Sequence, residues 1–158
     1  MTPNRTVDEQ ARDDAFRKRS GSHVERYIAS DGREGYDDNS HRAPTLLLTT
    51  MGRRTGKLHI APLYFAEDGG RYIVIASKGG SDRDPQWYLN LVAHPEVGVQ
   101  VRDQVFRAIA RTADADEKER LWPIMGSAYP FYNDYRRATD RDIPLVVLEP
   151  ISAQGDSR

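Results

Sequence analysis

Hydrophobic positions along the chain fall mostly in short runs with a period of two. "TLLLTT" (Thr45 to Thr50) is continuously apolar or β-branched and predicts a buried strand. "KLHIAPLYFAE" (Lys57 to Glu67) alternates and predicts another, with Pro62 marking an edge or a bulge. Asp68-Gly69-Gly70 gives a hairpin signal before "RYIVIAS" (Arg71 to Ser77). "VGVQVRDQVFRAIARTA" (Val97 to Ala113) alternates on both sides of Asp103-Gln104 and reads as a second hairpin, and "IPLVVLEP" (Ile143 to Pro150) is the final strand. The rest carries helical signals. A short helix is expected around Val24 to Ala29. Asp84 is placed as the N-cap of "PQWYLNLVAHP", with Pro85 as its first helical residue. Asp114 with Glu117 forms a capping box before "DEKERLWPIMGSA". The aromatic stretch "YPFYNDYRRATD" reads as a loop.

About six strands joined mainly by hairpins imply antiparallel pairing in a sheet that curls into a small barrel with helices outside. The fold class is therefore mainly β (α+β). The expected organisation is a polar N-terminal arm with a short helix over residues 1–40, a barrel domain over 41–151 and a disordered tail over 152–158.

Composition narrows the function. A chain of 158 residues with 38% hydrophobic and 30% charged residues fits one globular domain. No apolar run approaches the ~20 residues of a membrane helix, so no stable membrane insertion is expected. The absence of cysteines and of an apolar signal segment fits a cytoplasmic protein. Net charge is −1, yet Ser40 to Ala66 contains no Asp or Glu and holds Arg42, Arg53, Arg54 and Lys57. A local basic site in a nearly neutral chain points to a small anionic ligand and away from nucleic acid.

Four stretches could carry chemistry. Gly52, Arg53, Arg54, Thr55, Gly56, Lys57 and His59 form a glycine-bounded basic turn. It reads equally as an anion-binding nest with outward N–H groups or as a solvated hairpin. "ASKGG" (Ala76 to Gly80) leaves a strand and alone reads as a connector; beside an anion turn it is a second Lys-Gly site. In "WYLNL", Trp87 and Leu91 read as core, while Asn90 either caps a polar ring edge or faces solvent. Tyr129, Phe131, Tyr132 and Tyr135 surround Pro130 and form either a packing cluster or a wall for a flat ring, with Tyr132 and Tyr135 spaced for one helix face. The four histidines show no metal-ligand spacing, so no metal is expected.

The blocks "TTMGRRTG", "ASKGG" and "PQWYLNL", in that order within about Pro44 to Pro150, resemble the deazaflavin (F420)-dependent nitroreductase family. The resemblance implies a split β-barrel of the flavin-reductase and pyridoxamine-oxidase type. It implies coenzyme F420, an 8-hydroxy-5-deazaflavin with a phosphate and a polyglutamate tail. Arg53, Arg54, Thr55, Gly56, Lys57 and His59 would sit near that tail, and Pro62 and Tyr64 would line the groove. Ala76, Ser77, Lys78, Gly79 and Gly80 would touch the ring and its polyol chain, with Trp87 and Asn90 completing the pocket. Tyr129, Tyr132 and Tyr135 would shape the substrate side. His59 stands where the family often has Arg, which implies a weaker or more pH-dependent hold on the tail.

The implied activity is hydride transfer from the reduced deazaflavin to an electron-poor small molecule: a quinone, an activated alkene or a nitroaromatic. Ser77 would hydrogen-bond the acceptor, and a tyrosine (Tyr132) or water would supply the proton. Two alternatives stay open on sequence: an FMN-dependent oxidoreductase on the same barrel, and a non-catalytic deazaflavin-binding protein. The oligomeric state is not legible.

Overall fold

The computed structural model describes residues 22–39, 41–77 and 83–151. Seven strands, β1 (Thr45–Met51), β2 (Leu58–Tyr64), β3 (Ala66–Asp68), β4 (Arg71–Ile75), β5 (Glu96–Val101), β6 (Gln104–Thr112) and β7 (Leu145–Pro150), form one sheet in the order β2-β1-β5-β6-β7-β4-β3. Every strand pairing among the described residues is antiparallel, as the hairpin pattern implied. Helix α1 covers residues 22–29; α2 (Gln86–Ala93), α3 (Ala115–Ala128) and α4 (Phe131–Ala138) follow.

The single strand expected from Lys57 to Glu67 is two strands. The chain bends at Phe65, so β2 pairs with β1 and β3 pairs with β4 at the far end of the sheet order. Phe65 explains the break. Its side chain is buried in the barrel interior, its N–H reaches the Pro44 carbonyl (3.3 Å), and its own carbonyl accepts from the Tyr129 hydroxyl (2.9 Å). The bend lets one segment supply both ends of the sheet, which curls it into a split barrel. Pro62 lies on β2, at the end of the sheet order, where a residue without an N–H is tolerated.

The pleat divides the core into layers. Leu46, Leu48, Val97, Val99, Val74, Val146 and Leu148 fill the interior with Leu91 of α2. The opposite face of β4 and β7, with Ile73, Ile75, Leu145 and Val147, is covered by α3 and α4 through Leu121, Met125, Tyr129 and Tyr132. Leu47, on the outer face of β1, is covered by Val24 and Tyr27 of α1. Tyr27 is fully buried; its hydroxyl donates to the Thr45 carbonyl (2.8 Å) and accepts from the Arg102 N–H (2.9 Å).

Four local expectations need correction. The β5–β6 turn is Arg102-Asp103, one residue earlier than expected, with Arg102 at φ 56°. Pro85 is the N-cap residue of α2 and makes no side-chain cap bond, while Asp84 pairs with Arg141 instead of capping. The aromatic stretch after α3 is mostly helix, α4, because Pro130 starts a turn that the following residues continue. The capping box is half formed: Asp114 accepts from the Glu117 N–H (2.9 Å), but the Glu117 carboxylate turns to Arg111 (3.0 Å). A guanidinium held by a carboxylate outweighs a neutral backbone donor.

Candidate functional site

The basic turn is built from its own backbone. Gly52 N–H donates to the Lys57 carbonyl (2.7 Å), Gly56 N–H to the Gly52 carbonyl (2.9 Å), and Lys57 N–H to the Thr55 hydroxyl (3.1 Å). Gly56 sits at φ 73°, where a side chain is strained. A Cβ on Gly52 would stand 2.8 Å from the Thr55 hydroxyl and 2.9 Å from the His59 ring, so only glycine lets these side chains close over the turn. The N–H groups of Gly52, Arg53, Gly56 and Lys57 are thus spent inside the protein. What the turn offers an anion is its cationic side chains.

Arg53 is tied to α2. Its N–H (3.2 Å) and its guanidinium (2.8 Å) both donate to the Asn90 side-chain oxygen, and the guanidinium also reaches Gln86 Oε1 (3.0 Å). Asn90 is buried and donates to the Thr50 hydroxyl (3.4 Å), so it does not face solvent. Both side-chain partners of Arg53 are neutral amides. Among the described residues no carboxylate pairs with Arg53, Lys57 or His59. Toward the described residues, Arg53 and Lys57 therefore keep their charge, as an anion site requires. Arg54, Thr55, Lys57 and His59 are exposed. Trp87 is half-buried against the interior cluster, edge-on to Tyr88.

The structure separates residues that the resemblance grouped. Thr50 pairs with His59, Leu47 with Pro62 and Thr45 with Tyr64, so Pro62 and Tyr64 share one face of β2 and His59 lies on the other. Tyr64 joins the aromatic cluster, stacked on Tyr129 (5.7 Å between centroids) and edge-on to Phe131 (6.0 Å). Tyr132 and Tyr135 do share a helix face, with rings 6.0 Å apart. His41, which sequence reasoning passed over, lies 4.8 Å from the Phe131 ring.

Burial drives the tyrosine chemistry. The Tyr132 hydroxyl is held well above the ordinary phenol range, chiefly by desolvation and then by neighbouring tyrosines; burial pushes Tyr129 up to about 12. Both remain protonated near neutral pH and act as hydrogen-bond donors, not bases. Tyr129 spends its proton on the Phe65 carbonyl. Tyr132 is buried at 6% exposure, and among the described residues its hydroxyl has no hydrogen-bond partner.

Ser77 shows the same pattern. It is 7% exposed, and its hydroxyl has no partner among the described residues. Ala76 N–H bonds the Pro144 carbonyl (3.0 Å), which prolongs the β4–β7 pairing. Ser77 lies two residues beyond Ile75, the last residue of β4. Buried hydroxyls are nearly always hydrogen-bonded, and those of Ser77 and Tyr132 find no partner among the described residues. Ala76 is fully buried, and Lys78, Gly79 and Gly80 lie outside the described residues. Gln86 and Arg141 were also missed from sequence, because each acts only through partners distant in the chain.

Fold and site define a split-barrel cofactor-binding protein. The family model for the F420H(2)-dependent quinone reductases matches residues 19–150. An F420H(2)-dependent quinone reductase of Mycobacterium tuberculosis is 37% identical over 129 residues, covering 77% of this chain and 83% of that protein. A solved structure of an F420-H2 dependent reductase (FDR-A) superposes with a TM-score of 0.63 at 41% identity, covering 67% of this chain and 94% of that one. HutZ, a heme storage protein of Vibrio cholerae, shares the fold alone: TM-score 0.55, 19% identity, 68% of this chain and 82% of that one.

The chain belongs to the F420H(2)-dependent quinone reductase family. It is an F420-dependent oxidoreductase, and the match names the deazaflavin, not flavin mononucleotide, as its cofactor. Among the described residues no helix is long and apolar enough to cross a membrane.

Proposed function

We propose that this enzyme reduces a quinone-type small molecule, with the basic turn holding the anionic part of F420 and the Ser77–Tyr132 face receiving the acceptor. When bound, the reduced deazaflavin supplies a hydride. Arg53, Arg54, Lys57 and His59 would hold the phosphate and tail carboxylates through charge-assisted bonds, with Thr55 and Gly56 shaping the turn. Ala76, Ser77, Trp87 and Asn90 would border the ring, and Pro62 and Tyr64 the aromatic side. Tyr129, Tyr132 and Tyr135 would present a flat apolar wall to the acceptor. The Ser77 and Tyr132 hydroxyls would orient its oxygen, and one of them or water would deliver the proton. A cytoplasmic location fits a chain without cysteine.

The carrying observation is the pair of buried hydroxyls, on Ser77 and Tyr132, that lack partners among the described residues. The test is a titration of the purified protein with F420 and with FMN, followed by turnover of F420H2 with a naphthoquinone, a nitroaromatic and an unsaturated lactone. The expected result is quenching of F420 fluorescence at micromolar concentration, weaker binding of FMN and fastest turnover with the quinone. Preference for the nitroaromatic or the lactone would replace the quinone as acceptor. Tight F420 binding with no turnover of any acceptor would overturn the placement of the acceptor face.

A further inference from the structure

Arg141 lies between α4 and β7 and is only 12% exposed. Its guanidinium donates to two consecutive carbonyls at the exit of β4, Ala76 (3.2 Å) and Ser77 (2.8 Å), and pairs with the Asp84 carboxylate just before α2. The same loop is anchored on its other side, where the buried Lys118 ammonium of α3 meets Asp142 (2.5 Å). Ala76 N–H to the Pro144 carbonyl (3.0 Å) completes the grip on β4. One planar fork thus fixes the backbone that carries the Ser77 hydroxyl. It also fixes the start of α2, whose Gln86 and Asn90 hold Arg53.

We propose that Arg141 is a positioning residue: by joining the Ser77 backbone to Asp84, it sets the Ser77 hydroxyl in register with α2 and the basic turn. This rests on the acceptor face proposed above. Lysine keeps the charge but not the fork. A single ammonium cannot serve both carbonyls and the carboxylate with the same geometry. The clamp acts through Ser77, so its contribution to turnover should vanish once the Ser77 hydroxyl is gone.

The test makes Arg141→Lys and Arg141→Ala in the unchanged chain and in a Ser77→Ala background. In the cofactor-free protein, amide exchange should quicken together at residues 76–77 and 86–88 and stay unchanged over 121–125. With F420H2 and a naphthoquinone, Arg141→Lys should lower kcat by on the order of tenfold, with the acceptor KM within about threefold. In the Ser77→Ala background the further loss should shrink to about twofold or less. Equal losses in both backgrounds, or unchanged exchange at the two segments, would overturn the proposal. Should Arg141→Ala not fold, Arg141→Lys carries every arm. If the unmodified chain does not bind F420, the functional reading fails, and the exchange measurement still decides whether Arg141 couples the two segments.

Discussion

The two ends of the site differ in how they are built. At the basic turn, Arg54 and Lys57 are exposed and the half-buried Arg53 is held by neutral amides. At the tyrosine wall, Tyr129 and Tyr132 are buried and stacked among Tyr64, Phe131 and Tyr135. As proposed, the first end would hold its anion by charge in solvent, so its strength should follow ionic strength. The second works by desolvation, so its strength lies in packing and in which hydroxyls are left without partners. One site can therefore combine salt-sensitive capture of an anionic tail with dry, oriented placement of a flat acceptor.

The largest effect expected from this contrast is at the buried end. Tyr132→Ala should lower folding stability by roughly 3–5 kcal/mol, as for other large aromatic truncations, measured by urea unfolding. Its F420 affinity should stay within a few fold while relative rates among acceptors change. Tyr132→Phe, which keeps the ring, should hold stability within about 1 kcal/mol and lower turnover. A Phe variant with unaltered turnover would remove the hydroxyl from the mechanism.

At the exposed end the balance reverses. Arg53→Ala with Arg54→Ala should weaken F420 binding by on the order of 2–4 kcal/mol at low salt. The deficit should shrink as salt rises, with acceptor preference unchanged. Equal affinity of the variant and the unmodified protein at low ionic strength would move the anion site elsewhere.

A smaller effect distinguishes the two ends by pH. Tyr129 titrates at about 12 in the folded protein, against about 10 for an unfolded tyrosine. The folded state keeps its proton longer. The stability this group contributes is therefore full below about pH 10 and is lost as pH rises toward 12. Urea midpoints measured across that window should fall, and Tyr129→Phe should flatten the fall. No such alkaline loss is expected from truncating Arg53.

The smallest effect should come from removing residues 1–20. The family match begins at residue 19, and the proposed site uses none of those residues. F420 affinity should remain within about twofold; a large loss would bring that segment into the binding reaction.

The sequence by itself determined what depends on near neighbours. The continuous apolar run of Thr45–Thr50 marked a buried strand, and alternation in Val97–Ala113 marked two more, because the pleat sends successive side chains to opposite faces. The Asp114 cap was legible because it acts three residues away, on the Glu117 N–H. The basic turn showed itself as an acid-free window, since charge adds up locally along the chain. Resemblance of three short blocks then carried the cofactor.

Only the tertiary structure decided what depends on distant partners. Lys57 to Glu67 looked like one strand, and the break at Phe65 came from long-range contacts with Pro44 and Tyr129. Asp84 looked like a cap by position, but Arg141, distant in sequence, offered it a stronger ionic partner. Four N–H groups of the basic turn, those of Gly52, Arg53, Gly56 and Lys57, found partners inside the protein, one of them on Asn90 of α2. Tyr129 and Tyr132 looked alike in sequence. Packing gave one hydroxyl a carbonyl and left the other without a partner among the described residues, a difference set by burial and by which backbone groups the barrel brings within reach.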